Sequence, residues 1–138
     1  MSTPSLISSA RVNRVSGAVV DAALKVHSIL GPGLLESAYA ACLARELRKR
    51  GYRVDKELGL PLVYEGEKLE LGYRIDLLVE NLVIVEVKCV EVVHPVHEAQ
   101  LLSYLRLSGK NVGLLINFYV IHLKDGIKRM VNGRNWDR

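Results

Sequence analysis

The run Leu82-Val83-Ile84-Val85-Glu86-Val87-Lys88 limits the folds open to this chain more than any other segment. Its first four residues are continuously apolar, the pattern of a strand covered on both faces, so it predicts a central strand between helical layers. Side chains alternate along a strand, which puts Glu86 and Lys88 on one face and Val85 and Val87 on the other. A carboxylate and an ammonium on so greasy a strand are out of pattern. A buried charge must be paired or must bind a metal, because its desolvation otherwise destabilises the fold.

The rest of the chain supplies the layers. Apolar positions from Val12 to Leu30 recur at three and four and predict a helix, ended by Gly31-Pro32-Gly33. A second helix is expected from Leu34 to Arg50, with Arg48, Lys49 and Arg50 in its last turn as the helix dipole favours. Arg53–Tyr64, Leu69–Val79 and Leu82–Cys89 read as strands separated by turns at Glu65-Gly66-Glu67 and Glu80-Asn81. Pro95 opens a third helix that runs to Ser108, Val112–Asn117 is a further buried strand, and Lys124-Asp125-Gly126 turns into Ile127–Val131. The order α-α-β-β-β-α-β-β describes an α/β chain.

At 138 residues, with 49% hydrophobic and 25% charged, the composition suits one compact core. Residues 1–11 read as a disordered N-terminus, 12–133 as a single domain and 134–138 as a tail. The formal charge of +4 permits a polyanionic partner without demanding one. Cys42 and Cys89 are too few for a disulfide framework, a four-thiolate zinc site or an iron–sulfur cluster, and both are expected in the core. No apolar stretch reaches membrane-spanning length and Met1–Ala10 lacks the pattern of a secretory signal, so a cytoplasmic protein is expected.

Asp76 lies on the strand before Glu86, and the two can share a face only in an even register. Opposing them requires a three-residue loop, Glu80-Asn81-Leu82, or an equivalent bulge, in place of a two-residue turn. Carboxylates so placed repel unless a cation lies between them, and Mg²⁺, with Mn²⁺ as a substitute, is the natural hard-oxygen partner. Asp76, Glu86 and the Val87 carbonyl would hold the ion, and Lys88 would contact a polarised water suited to attack on phosphorus. The competing reading leaves Asp76 and Glu86 in solvent at strand ends, with Lys88 paired to one of them.

Asp76 with Glu86-Val87-Lys88 resembles the signature of the PD-(D/E)XK nuclease superfamily. Gly33-Leu34-Leu35-Glu36-Ser37-Ala38-Tyr39 is similar to the G-x-x-E-x-x-Y motif of the GxxExxY protein family. Gln100-Leu101-Leu102-Ser103-Tyr104 resembles the Q-x-x-x-Y motif of the RecB-like branch, and Leu114–Phe118 resembles the GxxExxY family's "GLLINF" strand. Ile75 stands where the superfamily name has Pro, which alters no ligand. The resemblance implies a restriction-endonuclease-like core, a central mixed β-sheet flanked by helices.

It further implies Glu36, Asp76 and Glu86 as metal ligands and Lys88 as the residue that orients water or stabilises phosphate charge. Gln100 and Tyr104 would buttress the site or touch DNA, and Tyr39 would face the same cleft near the nucleic acid. The alternatives are that Tyr39 and Tyr104 are core aromatics, Gln100 a surface residue and Glu36 an ordinary first-turn carboxylate. His94 and His97 suggest a second metal or a phosphate contact, against surface or helix-start residues. Arg74, two residues before Asp76 and on its face, is the best single candidate for a phosphate contact. Arg45, Arg48, Lys49, Arg50 and Arg53, or Lys124, Lys128, Arg129, Arg134 and Arg138, could track phosphates or simply be solvated faces. The expected function is Mg²⁺-dependent hydrolysis of nucleic acid, DNA in the first instance. The alternative is a non-catalytic nuclease-fold module that binds nucleic acid or a protein. A homo-oligomer is compatible with the chain but not readable from it.

Overall fold

A computed structural model describes residues 3–133, with side chains described from Ser9 onward. Helix α1 spans Thr3–Leu30 and α2 spans Glu36–Lys49. Strands β1 (Val54–Gly59), β2 (Leu62–Tyr64), β3 (Glu67–Leu69), β4 (Arg74–Val79) and β5 (Val83–Lys88) follow. Helix α3 (Pro95–Ser108) leads to β6 (Val112–Asn117), and a 3₁₀ turn over Leu123–Gly126 leads to β7 (Ile127–Val131).

Five strands form one mixed sheet in the order β1-β4-β5-β6-β7. The β5–β6 pair is parallel, as its crossover through α3 requires, and the other pairs are antiparallel. The double coverage expected for β5 is present. Val83, Val85 and Val87 pack with Val19, Ala22, Tyr39, Leu43 and Leu47 of α1 and α2. Ile84 packs on the opposite face with Leu101, Tyr104 and Leu105 of α3.

The outline departs from expectation at three places. The backbone is helical from Thr3, so α1 starts nine residues before Val12 and runs through most of the segment expected to be disordered. Thr3-Pro4 explains the start, since Pro at the beginning of a helix forfeits only an N–H that has no intrahelical partner. The tail 134–138 lies outside the described residues. The strands expected over Arg53–Tyr64 and Leu69–Val79 are each split, because Pro61 lacks an N–H and Gly72 takes φ +83°. Among the described residues the outer pieces, β2 and β3, pair only with each other and form a separate hairpin. Finally, Cys42 and Cys89 are half-buried at the margin of the α1–α2 core and not inside it. Both helix ends marked by Gly31 and Gly109 are as expected, with φ of +72° and +73° and N–H bonds back to the His27 and Leu105 carbonyls. Among the described residues no helix is long and apolar enough to cross a membrane.

Candidate active site

The site forms where β4 and β5 part. Their ladder pairs Val79 with Val83, Leu78 with Ile84 and Leu77 with Val85, leaving Glu80-Asn81-Leu82 as the connecting loop. This is the register that opposes Asp76 to Glu86. At that next step the carboxylates replace the backbone ladder. The Asp76 N–H donates to Glu86 Oε2 (2.9 Å), and the Val87 N–H donates to Asp76 Oδ2 (2.8 Å). On its other side β4 is irregular as well. Pairing with β1 skips Asp76 and Glu57, and Glu57 takes φ +51°. Ile75 consequently joins the α3-side core and Leu77 the α1–α2 core, although they are two residues apart. Asp76 therefore occupies a break in the strand's alternation.

Helix α2 brings the third carboxylate. Glu36 is its first residue, where the helix dipole favours an anion, and its Oε2 accepts the Cys89 N–H at 3.2 Å. Between α2 and the sheet edge lies an open cleft of about 300 Å³ lined by Glu36, Ser37, Lys56, Arg74, Asp76 and Val87, among others. Arg74 is exposed, and its Nη1 donates to the Glu57 carbonyl at 3.4 Å. Lys88 is half-buried at the end of β5 and makes no ion pair among the described residues. Its charge acts to lower the pKa of both Asp76 and Glu86, against the larger effect of burial, which raises both.

Burial dominates the electrostatics. Glu86 is 5% exposed, and burial, followed by the Asp76 charge, pushes its pKa up to about 8. The Asp76 N–H and Lys88 oppose this only in part. Asp76 is also raised, again by burial first, with Glu36 and Glu57 adding repulsion and the Val87 N–H opposing it. Tyr104, buried on α3, has its phenol raised by burial and then by the charges of Glu86 and Asp76. Tyr73 packs edge-on against Tyr104 with ring centroids 6.2 Å apart. Gln100 is half-buried one helical turn away from Tyr104 and makes no hydrogen bond among the described residues.

The donor set fits a hard divalent cation in kind. Asp76, Glu86 and Glu36 each commit one oxygen to a backbone N–H, and the other takes no hydrogen bond among the described residues. Since no fully buried side-chain N or O among the described residues lacks a partner, those second oxygens retain access to the cleft or to solvent. Two carboxylates that resist ionising together are what a divalent cation resolves. Among the described residues, however, no three His, Cys, Asp or Glu side chains converge closely enough to cage an ion as they stand.

Several expected contacts are corrected. Tyr39 does not face the cleft: it is fully buried, stacked on Phe118 at 4.4 Å, so it cannot touch nucleic acid. Its hydroxyl donates to the Gly31 carbonyl and accepts the Leu34 N–H (3.0 Å), pinning the turn that delivers Glu36. Tyr39→Phe is expected to destabilise the protein by about 1–3 kcal/mol, measured by denaturant unfolding, because the part-buried Gly31 carbonyl and Leu34 N–H lose their partner. His94 and His97 form a reciprocal cap on α3, in which His97 Nδ1 accepts the His94 N–H at 3.2 Å, so one ring nitrogen of each is spent on the helix. The basic group after α2 is largely consumed too. Arg50 pairs with Glu46 and Asp21, Arg53 with Asp55, and Arg48 donates to the Val54 carbonyl. Near the C-terminus Lys128 pairs with Glu98.

Three contributors were missed. Lys56 and Glu57 line the cleft, yet Asp55-Lys56-Glu57 reads in sequence as an ordinary exposed edge. Asn117 is 4% exposed at the end of β6, level with Lys88. It accepts the Val90 and Tyr119 N–H groups (3.1 and 3.2 Å) and donates to the Val90 carbonyl (2.9 Å), fixing the chain as it leaves β5. A polar residue ending a continuously apolar strand was its available signal.

A family model described as the PD-(D/E)XK nuclease superfamily matches residues 13–130. No curated protein and no solved structure matches the chain. The match begins within α1 and ends in β7, so it takes in the five-stranded sheet up to but not including the last residue of β7 and every residue of the parted β4–β5 ends. The chain belongs to the PD-(D/E)XK nuclease superfamily.

Proposed function

We propose that the protein is a metal-dependent nuclease that hydrolyses phosphodiester bonds, with DNA as the first substrate to test. The observation that carries this reading is the pair Asp76 and Glu86, opposed at parting strand ends with Lys88 two residues on. Asp76, Glu86 and Glu36, with the Val87 carbonyl, would hold Mg²⁺ or Mn²⁺. When bound, the ion supplies Lewis acidity and lowers the pKa of a coordinated water. Arg74 and Lys56, both exposed at the cleft, receive the phosphodiester. Lys88 orients the attacking water and offsets charge that develops on the phosphate oxygens. Tyr104, wedged against Tyr73 and within electrostatic reach of Glu86, buttresses the acid from the α3 side.

A RecB-like, GxxExxY assignment within the superfamily is part of this reading. Its support is chemical: Gly33 belongs to the turn, Glu36 reaches the β5 end and Tyr39 clamps the turn between them. Residues 12–133 are treated as the nuclease unit, acting with cations on the protein side and no iron–sulfur cluster.

The test is incubation with linear and circular DNA and with RNA in Mg²⁺, Mn²⁺ or EDTA. Cleavage that requires the metal and stops in EDTA is expected. Binding of nucleic acid without cleavage in any metal would instead identify a non-catalytic module.

A further inference from the structure

Leucines stand at the lip of the cleft where helix chemistry favours a polar residue. Leu35 is the N-cap of α2, with φ −74° and ψ 153°, and makes no side-chain capping bond. That position favours Ser, Thr, Asp or Asn. Leu35 is also 77% exposed and Leu34 45% exposed, so neither gains full burial in return. The arrangement forgoes a cap and leaves apolar surface in water.

The two leucines are held in place. The Tyr39 hydroxyl accepts the Leu34 N–H, and the Cys89 thiol donates to the Leu34 carbonyl at 3.1 Å. With Glu36, Ser37 and Cys89 they line an open recess of about 400 Å³. Glu36 and Ser37 line the charged cleft as well, so the recess continues from the place where the phosphate is received. One wall of the combined site is cationic (Lys56 and Arg74) and the other is aliphatic.

This pairing of walls selects among nucleic acids. An intact duplex presents phosphates and sugars on its outside and keeps base faces stacked within. An exposed leucine beside the phosphate gains burial only if an unpaired base turns its face toward it. We propose that Leu34 and Leu35 form a shelf for the unpaired base next to the reacting phosphate, making single-stranded nucleic acid the preferred substrate class. The proposal rests on the nuclease reading above.

Wild type and Leu35→Asn are compared in Mg²⁺ on a fluorescein-labelled single-stranded DNA oligonucleotide, its blunt duplex and the same strand carrying abasic residues. Wild type should cut the single strand in preference to both others. Leu35→Asn should lower the single-strand to duplex ratio of kcat/KM about tenfold, the scale of losing partial burial of one leucine. It should also raise Tm, because Asn caps the helix. An unchanged ratio assigns the shelf to a protein partner or a second copy and overturns the proposal. A lower ratio with a lower Tm indicates a structural role and also overturns it. If wild type cuts nothing, anisotropy of the same oligonucleotides in Ca²⁺ separates the two claims. A Leu35-dependent preference for the strand with bases keeps the shelf and removes the nuclease reading, whereas no binding removes both.

Discussion

Asp76→Asn is expected to reduce metal-dependent cleavage by at least about 10²–10³-fold while leaving the metal-free protein as stable as wild type or more so. The asymmetry follows from what Asp76 does in each state. In the metal-free fold its Oδ2 accepts the Val87 N–H, a bond that the Asn carbonyl oxygen can keep. Its charge is a liability there, since burial and the nearby Glu36 and Glu57 carboxylates all disfavour ionisation. With a cation bound, the same charge becomes a ligand, and a neutral amide holds a hard ion less well. Cleavage rates and denaturant midpoints measured on one preparation check both halves. A variant that cuts normally, or one that unfolds several kcal/mol more easily, would show that Asp76 is a structural partner instead.

The metal-free protein should become less stable as pH rises, and Glu86→Gln should remove most of that decline. Folded Glu86 keeps its proton until about pH 8, against an ordinary value of 4.5 in the unfolded chain. Between those values the folded state binds a proton that the unfolded state does not, so stability falls with increasing pH. The contribution is fully present below 4.5 and lost as pH passes through about 8. Each unit of the gap is worth at most about 1.4 kcal/mol, so the loss amounts to a few kcal/mol. Asp76, raised in the same direction, steepens it. Gln keeps an oxygen for the Asp76 N–H but has no charge to bury, so the variant should match wild type near pH 5 and exceed it near pH 9. Urea unfolding in EDTA across this range is the measurement. Parallel profiles for the two proteins would contradict the account, as would wild-type stability that rises with pH. Added Mg²⁺ should restore wild type at high pH by mass action and do little for the variant.

The sequence exposed the centre of this site because charges on a buried strand are costly and therefore conspicuous. Glu86 and Lys88 broke a pattern that the sheet enforces, and the face argument then called for a three-residue loop or an equivalent bulge, of which the loop is seen at Glu80-Asn81-Leu82. Motif spacing was less informative about direction. Tyr39 lies one turn from Glu36, but the tight Gly31–Leu34 turn needs a buried hydroxyl beneath it, and that need turns the ring inward onto Phe118. The histidines meet a related local need: a helix start leaves N–H groups to satisfy, and one imidazole nitrogen of each does so. Lys56 and Glu57 were invisible because their role depends on the skipped pair with Asp76, a backbone irregularity that no residue type announces. The β2–β3 hairpin was obscured by reading through Pro61 and Gly72 as if each strand were continuous.

Crystals soaked in Mn²⁺ and measured at the manganese absorption edge test the central claim most directly. The account predicts an anomalous peak bounded by the free oxygens of Asp76 and Glu86, with Glu36 drawn toward it, and no peak in Asp76→Asn crystals. A peak only at His94 and His97, or none at the β4–β5 ends under conditions in which the protein cuts DNA, would contradict it.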